Sequence, residues 1–490
     1  MVQLLRFSFC FPLLGLLLLG SQPLRAQQLL WERASQRPGS YEEIATSLLL
    51  LDNNQAMLSL NTTPTPPWPL PQCANGPFKP YLQVWDIATG TQLREQPLRN
   101  SPGQYGGPLR RAGSSYWWAA DGVRCDSNLD AQRYSLSQRL SAQADTLRTL
   151  QPGPVLLEGY TEGLLVQGNR VAITGSSLTS TTLGARNFFL TLADTSGTLL
   201  SHHSYPQPTR TFDRPTDIAR TPRGGYLLSG DGLTTAAFQH LLVETDSLGN
   251  QLRQRLIFPL GPDFNDGKRV DHYCNIQVLP NAGGYVVSGR ADSVRGTFRR
   301  HVCYLMRLDT ALNVTWVYRH PTSTNGNGVR NQYPSKVRLL PDGSLGFVVR
   351  NRGSAGAPLD LYLVQMDTQT GQHRATYTLP SPGPGGFGVQ PFDWHWLPDN
   401  TLLLCGVTST ATGKHAYLAR WDFRGTLLAT GRPATTAGGA ALRLYPTPAT
   451  AAQPATAHYQ LPPGPSGGSL LVTDLLGRLG CTDNYRSQSR

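Results

Sequence analysis

The stretch Gly224–Leu252, GGYLLSGDGLTTAAFQHLLVETDSLGNQL, decides the fold of this chain. It contains two short apolar runs, Tyr226–Ser229 and Leu241–Glu244, which are bounded by glycine pairs and by the turn Asp246–Gly249. Short apolar runs between Gly, Asp and Asn turns are typical of antiparallel β-strands. The stretch therefore predicts β-structure, and the same pattern recurs along the chain.

Two landmarks of this pattern repeat. The first is a turn in which an aspartate is followed by Gly or Asn, and it occurs at Asp86, Asp194, Asp246, Asp309, Asp367 and Asp422. From Asp194 onward the separations are 52, 63, 58 and 55 residues. The second landmark is the end of an apolar strand, at Gly175, Gly230, Gly289, Val349 and Gly406. Because two separate landmarks keep one period, the chain is built from structural repeats.

A repeat of this length fits one blade of a propeller, since solenoid repeats are shorter, about 20–45 residues. The repeats divide into seven units at 41–98, 99–152, 153–207, 208–262, 263–322, 323–381 and 382–433. No stretch shows a sustained helical period. We therefore predict an all-β fold, a seven-bladed β-propeller over residues 27–433. Either the segment Gln27–Ser35 or the run that begins at Gly425 completes the last blade.

The N-terminus has the pattern of a secretory signal peptide over residues 1–26. Arg6 precedes the apolar run Phe7–Gly20, and the small residue Ala26 precedes Gln27. That run is shorter than the roughly 20 apolar residues that span a bilayer. We expect export through the periplasm and no transmembrane segment after cleavage.

The chain is basic, with 43 Lys and Arg against 31 Asp and Glu and a formal charge of +12. Arginine carries the excess, and no run of basic residues marks a dedicated site. A solvated basic surface that meets anionic partners is the simplest interpretation. Export argues against nucleic acid, which leaves glycans or surface polysaccharide as candidate partners.

Cysteine usage suggests one disulfide and no structural zinc. Cys73 and Cys125 fall in equivalent connections of neighbouring repeats, and an oxidising compartment would permit a bridge between them. Cys274, Cys303 and Cys405 fall in strands, where a buried thiol is the ordinary role. CxxC spacing is absent from the sequence.

Signals for catalysis, metals and cofactors are sparse. The sequence has no GxSxG, HExxH or P-loop motif. The histidines of His202-His203, of the His272/His301 pair and of Trp394-His395-Trp396 have no partners at ligand spacing. The aspartate turns lack the acidic series of a calcium loop, and their carboxylates are expected to accept backbone N–H groups. We predict no catalytic residue, metal or cofactor.

The candidate binding residues are polar positions in the first strand of five repeats. Aligning the repeats places five residues at equivalent positions: Ser47, Asp217, Asn275, Lys336 and Asp393. The first strand of a blade lines the axis, so we expect these side chains to line a wet central funnel. There Asp217 and Asp393 would bind a cation or glycan hydroxyls, and Lys336 would hold an anionic group. The alternative is that they are polar only because the channel is hydrated.

A second set of candidates is the aromatic run Tyr116, Trp117 and Trp118. On an exposed loop at the rim, these rings would stack on sugars. As strand residues, alternate rings would instead pack between blades. Both interpretations are open at this point.

The C-terminal segment differs in composition. A linker at 434–441 precedes LRLYPTPAT, in which Tyr445, Pro446 and Pro448 stand out, and LLVTDLLGR follows with Asp474, Gly477 and Arg478. Over residues 442–480 this pattern resembles the C-terminal sorting domain of type IX secretion cargo. The repeats likewise resemble those of secreted bacterial β-propeller proteins that carry this domain.

The resemblance implies a Gram-negative host, the type IX secretion machinery as a partner, and delivery to the outer cell surface or the medium. Thr447 departs from the opening motif, and the chain ends in CTDNYRSQSR, which lacks strand alternation. Residues 442–490 are therefore expected to form a shortened β-sandwich-like sorting domain with an irregular tail.

Three functions remain as hypotheses. The first is a secreted or cell-surface binding or scaffold propeller without catalysis. The alternative is a propeller glycan hydrolase or lyase that uses funnel carboxylates, and the third is an adhesin for proteins. An enzyme needs acid and base groups that converge, whereas a binder needs only aromatic and hydrogen-bonding groups. The sparse chemistry favours binding.

Overall fold

The structure is a computed structural model. It describes residues 27–35, 37, 40–64, 79–97, 106–125, 131–150, 159–180, 185–206, 210–234, 238–257, 270–295, 298–320, 331–352, 360–380, 388–410, 413–423, 441–445, 456–460, 468–473 and 479–485. Every regular element in these ranges is a β-strand, as expected. Within them, no helix has the length and hydropathy needed to cross a membrane. Contacts divide the chain into two compact units, residues 25–428 and residues 1–24 with 429–490.

The unit 25–428 consists of four-stranded antiparallel sets of strands, here called blades. Strand β1 (Gln28–Ser35) comes first and belongs to the last blade. Blade 1 comprises β2 (Ser40–Leu50), β3 (Gln55–Pro64), β4 (Lys79–Asp86) and β5 (Thr91–Pro97). Blade 2 comprises β6 (Gly106–Ala112), β7 (Ser115–Cys125), β8 (Ala131–Leu140) and β9 (Thr146–Leu150). Blade 3 comprises β10 (Gly159–Gln167), β11 (Arg170–Ser180), β12 (Ala185–Asp194) and β13 (Leu199–Tyr205).

The remaining blades follow the same order. Blade 4 comprises β14 (Arg210–Arg220), β15 (Tyr226–Thr234), β16 (Phe238–Thr245) and β17 (Gln251–Ile257). Blade 5 comprises β18 (Val270–Val278), β19 (Tyr285–Arg295), β20 (Phe298–Leu308) and β21 (Val314–Arg319). Blade 6 comprises β22 (Asn331–Leu339), β23 (Leu345–Arg352), β24 (Asp360–Met366) and β25 (His373–Leu379). Blade 7 comprises β26 (Val389–Trp396), β27 (Thr401–Thr410), β28 (Gly413–Asp422) and β1. The first strands of consecutive blades contact one another, and β2 also contacts β26, so the arrangement is a β-propeller.

The core lies between the blades, because the second strand of each blade is apolar on both faces. In β27, Leu402 and Leu404 pack toward blade 6, whereas Leu403 and Cys405 pack toward blade 1. The described residues form seven such apolar clusters, each shared by two consecutive blades. Continuous apolar runs such as TLLLC are therefore explained by burial on both sides.

The N-terminal strand completes blade 7, which answers the question that the sequence left open. Strand β1 pairs antiparallel with β28, from Gln28 opposite Asp422 to Ser35 opposite Ala416. The first and last parts of the propeller chain are thus held in one sheet.

The repeated turn glycine has a packing role. At Gly90, which has φ +65°, an added Cβ would lie 2.6 Å from Cδ2 of Trp31 in the preceding blade. At Gly371, with φ +67°, it would lie 2.5 Å from Cδ2 of Trp316. Both turns need a residue that adopts positive φ and leaves room for a ring. The glycine of the repeat therefore joins neighbouring blades at the outer edge.

The C-terminal strands form two hairpins. Strand β29 (Ala441–Tyr445) pairs with β30 (Thr456–Gln460), and β31 (Gly468–Thr473) pairs with β32 (Leu479–Tyr485). The expectation of an irregular tail is wrong up to Tyr485, because the backbone of this segment pairs with the apolar run of β31.

Most residues of the expected sorting motif lie outside the described structure. These are Pro446, Pro448, Asp474, Gly477 and Arg478, and only the backbone of Tyr445 is described.

Candidate functional site

The five aligned polar residues do occupy equivalent places in first strands. Ser47, Asp217, Asn275, Lys336 and Asp393 lie in β2, β14, β18, β22 and β26. Four of them are buried, with exposures of 1 %, 5 %, 7 % and 0 % for the serine, Asp217, the asparagine and Asp393. The wet funnel expected from the sequence is therefore wrong for these four side chains. The lysine differs, since its side chain is 20 % exposed.

The four buried side chains join consecutive blades. Each directs an oxygen at a backbone N–H of the next first strand: Leu48 N donates to Asp393 Oδ2 (3.2 Å), Leu109 N to Ser47 Oγ (3.1 Å), Ile276 N to Asp217 Oδ2 (3.0 Å) and Val337 N to Asn275 Oδ1 (2.7 Å). A buried backbone N–H needs an acceptor, and here the neighbouring blade supplies it. Polarity at this position is therefore explained by blade-to-blade hydrogen bonding.

Asp393 is also the centre of an ion-pair network. Its Oδ2 lies 2.7 Å from Lys336 Nζ, and its Oδ1 lies 2.6 Å from Arg338 Nη2. The backbone N–H of Trp394 donates to Oδ1 as well, at 2.9 Å. Burial alone would raise the pKa of Asp393, but the two cations hold it well below its usual range. The carboxylate is thus ionised at any physiological pH.

Asp217 is similarly occupied. Its Oδ1 accepts hydrogen bonds from Arg110 Nη2 at 3.2 Å and from the backbone N–H of Ile218 at 2.9 Å. Its Oδ2 accepts the bond from Ile276 described above. With three donors on two oxygens, little acceptor capacity is left for a ligand.

Arg110 and Arg338 were not predicted from the sequence as site residues, and His395 was considered there only as a metal ligand. Arg110 and Arg338 come immediately after Leu109 and Val337, whose N–H groups are bound from the previous blade. His395 follows Trp394, whose N–H donates to Asp393 of the same strand. For Arg338 and His395, which lie two positions after Lys336 and Asp393, the period of a strand predicts the same face as the polar residue. Applying that period would have found both.

His395 is neutral in this environment. Burial, with Arg338 nearby, lowers the pKa of its imidazole to about 3. Its Nε2 donates to the carbonyl of Leu48 at 3.1 Å. Among the described residues, the ion pairs around Asp217 and Asp393 therefore comprise three cations and these two carboxylates.

The cations retain unused donors. Lys336 Nζ bonds one acceptor in the described part of the chain, Asp393. Arg338 Nε is buried and has no hydrogen-bond partner among the described residues. The side chains of Arg110 and Arg338 are each 27 % exposed. Burial also lowers the pKa of Lys336. This cluster, Arg110, Lys336 and Arg338, is the candidate functional site and is called the axial cation cluster below.

The aromatic candidates do not lie on an exposed loop. Tyr116, Trp117 and Trp118 belong to β7, and their exposures are 3 %, 1 % and 0 %. Trp117 packs toward blade 3, whereas the other two pack toward blade 1. Trp118 Nε1 donates to Ser59 Oγ at 2.9 Å. The rim-binding interpretation is wrong, and the alternation of a strand between two blades explains the run.

A buried acidic group lies in blade 4. Asp213 and Asp231 have exposures of 0 %, and Arg214 beside them forms an ion pair with Glu162 of blade 3. Burial, with added repulsion from Glu162 and Asp213, raises the pKa of Asp231 to about 7. A proton-holding carboxyl at neutral pH suits acid catalysis, but these carboxyls have no exposed surface. The sequence carried no signal for this group.

A hydrogen-bonded chain of Ser229, His240 and Tyr304 joins blades 4 and 5. The Ser229 Oγ–His240 Nε2 and His240 Nδ1–Tyr304 Oη distances are both 2.8 Å. The three groups have the composition of a nucleophile and its base, yet all are 0 % exposed. Burial also lowers the pKa of His240 to about 3. The chain therefore serves the blade interface.

The turn aspartates bind their own backbone, as expected. Asp246 Oδ1 accepts from the N–H groups of Leu248 and Asn250, both at 2.8 Å, and Asp309 makes the equivalent pair of bonds. These bonds lower the pKa of Asp246, with the Asn250 side chain contributing most. Within the described ranges, no group of three or more His, Cys, Asp or Glu residues is placed to hold a metal ion.

Two cysteines are described in full. Cys303 and Cys405 are buried and free, as expected for strand thiols. The candidate disulfide lies outside the described structure, because Cys73 and the side chain of Cys125 are not described. The side chain of Cys274 is not described either.

Comparison with known proteins gives similarity in fold alone. No family model and no curated protein matches the chain. Among solved structures, a protein of unknown function from Dyadobacter fermentans is 10 % identical with a TM-score of 0.48, covering 81 % of this chain and 99 % of that one. An α-L-arabinanase from Penicillium chrysogenum is 11 % identical with a TM-score of 0.42, covering 81 % and 98 %. The β-propeller domain of the Trilobed protease from Pyrococcus furiosus is 10 % identical with a TM-score of 0.37, covering 82 % and 99 %.

Proposed function

We propose that this chain is an exported seven-bladed propeller that acts as a non-catalytic binding or scaffold protein at the cell surface. One observation carries the proposal. Asp217 and Asp393 are occupied by cations and backbone N–H groups, whereas Lys336 and Arg338 keep donors that have no partner in the described part of the chain. Such a site can hold an anionic ligand, and its two carboxylates are not free to serve as the acid or base of a reaction.

The alternative is a glycan hydrolase or lyase. Hydrolysis by the usual route needs one carboxyl that donates a proton and a second that acts as nucleophile or base. Asp393 is permanently ionised, and Asp217 is bound by three donors. Asp231 has a pKa suited to an acid, about 7, but it is fully buried. Of these three carboxyls only Asp231 could donate a proton, and it would do so only if blade 4 opened.

Export is proposed on the sequence. Residues 1–26 have the signal-peptide pattern, and residues 442–490 resemble the type IX sorting domain. In this proposal the chain crosses the periplasm, engages the type IX machinery and reaches the outer surface or the medium. Display of a reporter fused to residues 442–490 on a type IX-competent host would support this route, and retention in the periplasm would contradict it.

The binding function is tested with a glycan array. The purified chain is applied to neutral and acidic glycans, and every glycan that binds is then incubated with the protein and examined for products. Binding without cleavage or elimination is the expected result. Product formation, abolished by Asp231→Asn and retained in Arg111→Gln, would replace the proposal with the alternative.

A further inference from the structure

We propose that the axial cation cluster is a binding site for one carboxylate group, of the kind carried by the uronic acids of acidic glycans. This inference rests on the proposed binding function and names the ligand chemistry of the same site. It assigns the ligand to Arg110, Lys336 and Arg338, whereas the sequence analysis assigned it mainly to the two aspartates.

The three cations are held in place by contacts that use only some of their N–H donors. Asp393 anchors Lys336 and Arg338 on separate oxygens. Asp217 anchors Arg110, which also donates from Nη1 to the carbonyl of Leu109 at 3.0 Å. Each aspartate is fixed in turn by backbone N–H groups of two blades. The cations are thus positioned before any ligand arrives, which reduces the ordering cost of binding.

Their remaining donors are suited to an anion. Lys336 has two further ammonium N–H groups, and Nη1 of Arg338 has no partner among the described residues, whereas its Nε–H is buried. The side chains are 20 % to 27 % exposed, so a small group can reach them although large surfaces cannot. Guanidinium and ammonium groups supply only donors, which excludes another cation as the ligand.

The charge balance selects a monoanion. Within these described ion pairs, the three cations and the carboxylates of Asp217 and Asp393 leave one surplus positive charge, and His395 adds none because burial lowers its pKa to about 3. A single carboxylate neutralises the surplus, whereas a phosphate monoester would bring nearly two negative charges. The planar guanidinium also matches the two oxygens of a carboxylate in geometry.

The site is tested by calorimetric titration of galacturonate, with galactose and a sugar phosphate as comparison ligands. Arg110→Gln should weaken galacturonate binding about 10- to 100-fold, the loss expected for one charge-assisted hydrogen bond. Asp217 keeps its two backbone donors in this variant, so the fold should persist.

Arg111→Gln is the matched control. It changes the net charge equally on the same strand, but Arg111 is exposed and pairs with Asp52 rather than with Asp217 or Asp393. Binding should stay within about twofold of the parent protein. The double variant Lys336→Met with Asp393→Asn replaces both partners of one ion pair. It should also lose galacturonate binding, and circular dichroism checks that it folds.

Equal weakening in Arg110→Gln and Arg111→Gln would overturn the site, because only the overall field would then matter. The carboxylate assignment would be overturned if galactose bound as tightly as galacturonate, or if the sugar phosphate bound more tightly than galacturonate. If the array yields only neutral glycans, this inference fails while the binding function stands. If it yields no ligand and galacturonate does not bind, both fail.

Discussion

The N–H of Leu48 donates to Oδ2 of Asp393 at 3.2 Å, across 345 residues of chain. This bond joins the first strand of blade 1 to the first strand of blade 7 at the axis. At the outer edge, the same two ends are joined by β1, which pairs with β28. The ring is therefore closed by one contact near the axis and by a separate contact at the outer edge, and each can be tested by its own substitution.

Asp393→Ala should weaken the closure at the axis. The substitution leaves Lys336 and Arg338 without their buried partner, which costs about 3–5 kcal/mol of the free energy of unfolding. Asp52→Ala is the comparison, because Asp52 pairs with Arg111 at an exposed site and its loss should cost about 0–1 kcal/mol. Urea denaturation followed by tryptophan fluorescence measures both. Similar costs for the two variants would contradict the role assigned to Asp393.

Trp31→Ala should weaken the closure at the outer edge. The ring is 9 % exposed, lies against Gly90, and donates from Nε1 to the carbonyl of Ile87 at 3.1 Å. Loss of such a side chain costs about 3–5 kcal/mol. Leu30→Ala on the same strand removes a side chain that is 37 % exposed and should change stability by less than about 0.5 kcal/mol. If Trp31→Ala is also neutral in denaturation, β1 does not fasten the ring.

The repeat could be predicted from the sequence because the interactions that define it are local. The aspartate of each turn binds N–H groups two to four residues away, and the apolar second strands follow one another in sequence. The sequence did not predict which strand completes blade 7, since both candidates are short apolar runs. Trp31 and Trp316 each lie against a turn glycine of the next blade, Gly90 and Gly371, and such contacts join residues that are distant in sequence.

The site was predicted in position but not in role. Alignment of repeats located Ser47, Asp217, Asn275, Lys336 and Asp393 correctly in the first strands. The oxygens of Ser47, Asp217 and Asn275, however, bind N–H groups roughly one repeat away, and no local sequence pattern indicates a contact of that kind. Arg110 was missed because blade 2 did not align with the others.

Gly371→Ala tests whether the repeated turn glycine joins blades. A Cβ there would lie 2.5 Å from the Trp316 ring, and φ is +67°. Gly343→Ala is a matched control, because its φ is +77° but nothing lies within 4 Å of its Cβ position. The control should lose about 1–2 kcal/mol through the backbone alone. Gly371→Ala should lose about 1–3 kcal/mol more through the clash. Thermal unfolding compares them, and equal losses would show that the ring contact is unimportant.

Asp231 should give the protein a distinctive pH dependence. Its carboxyl has a pKa of about 7 in the folded protein, mainly through burial, against 3.8 ordinarily. Between pH 4 and pH 7 the folded state therefore keeps a proton that the unfolded state has lost, so this group makes stability fall as pH rises. Above pH 7 the cost is constant and reaches up to about 4 kcal/mol.

Asp231→Asn removes that titration. The stability of the variant minus that of the parent protein should increase from pH 4 to pH 7 and then level off. Buried histidines with lowered pKa values, such as His240 and His395, give the opposite slope below about pH 6.5, but they are present in both proteins and cancel in the difference. Urea denaturation at pH 4.5, 6 and 8 measures the difference. A difference that does not change with pH would show that Asp231 is ionised in the folded protein, and Asp231 would then no longer be a candidate for acid catalysis.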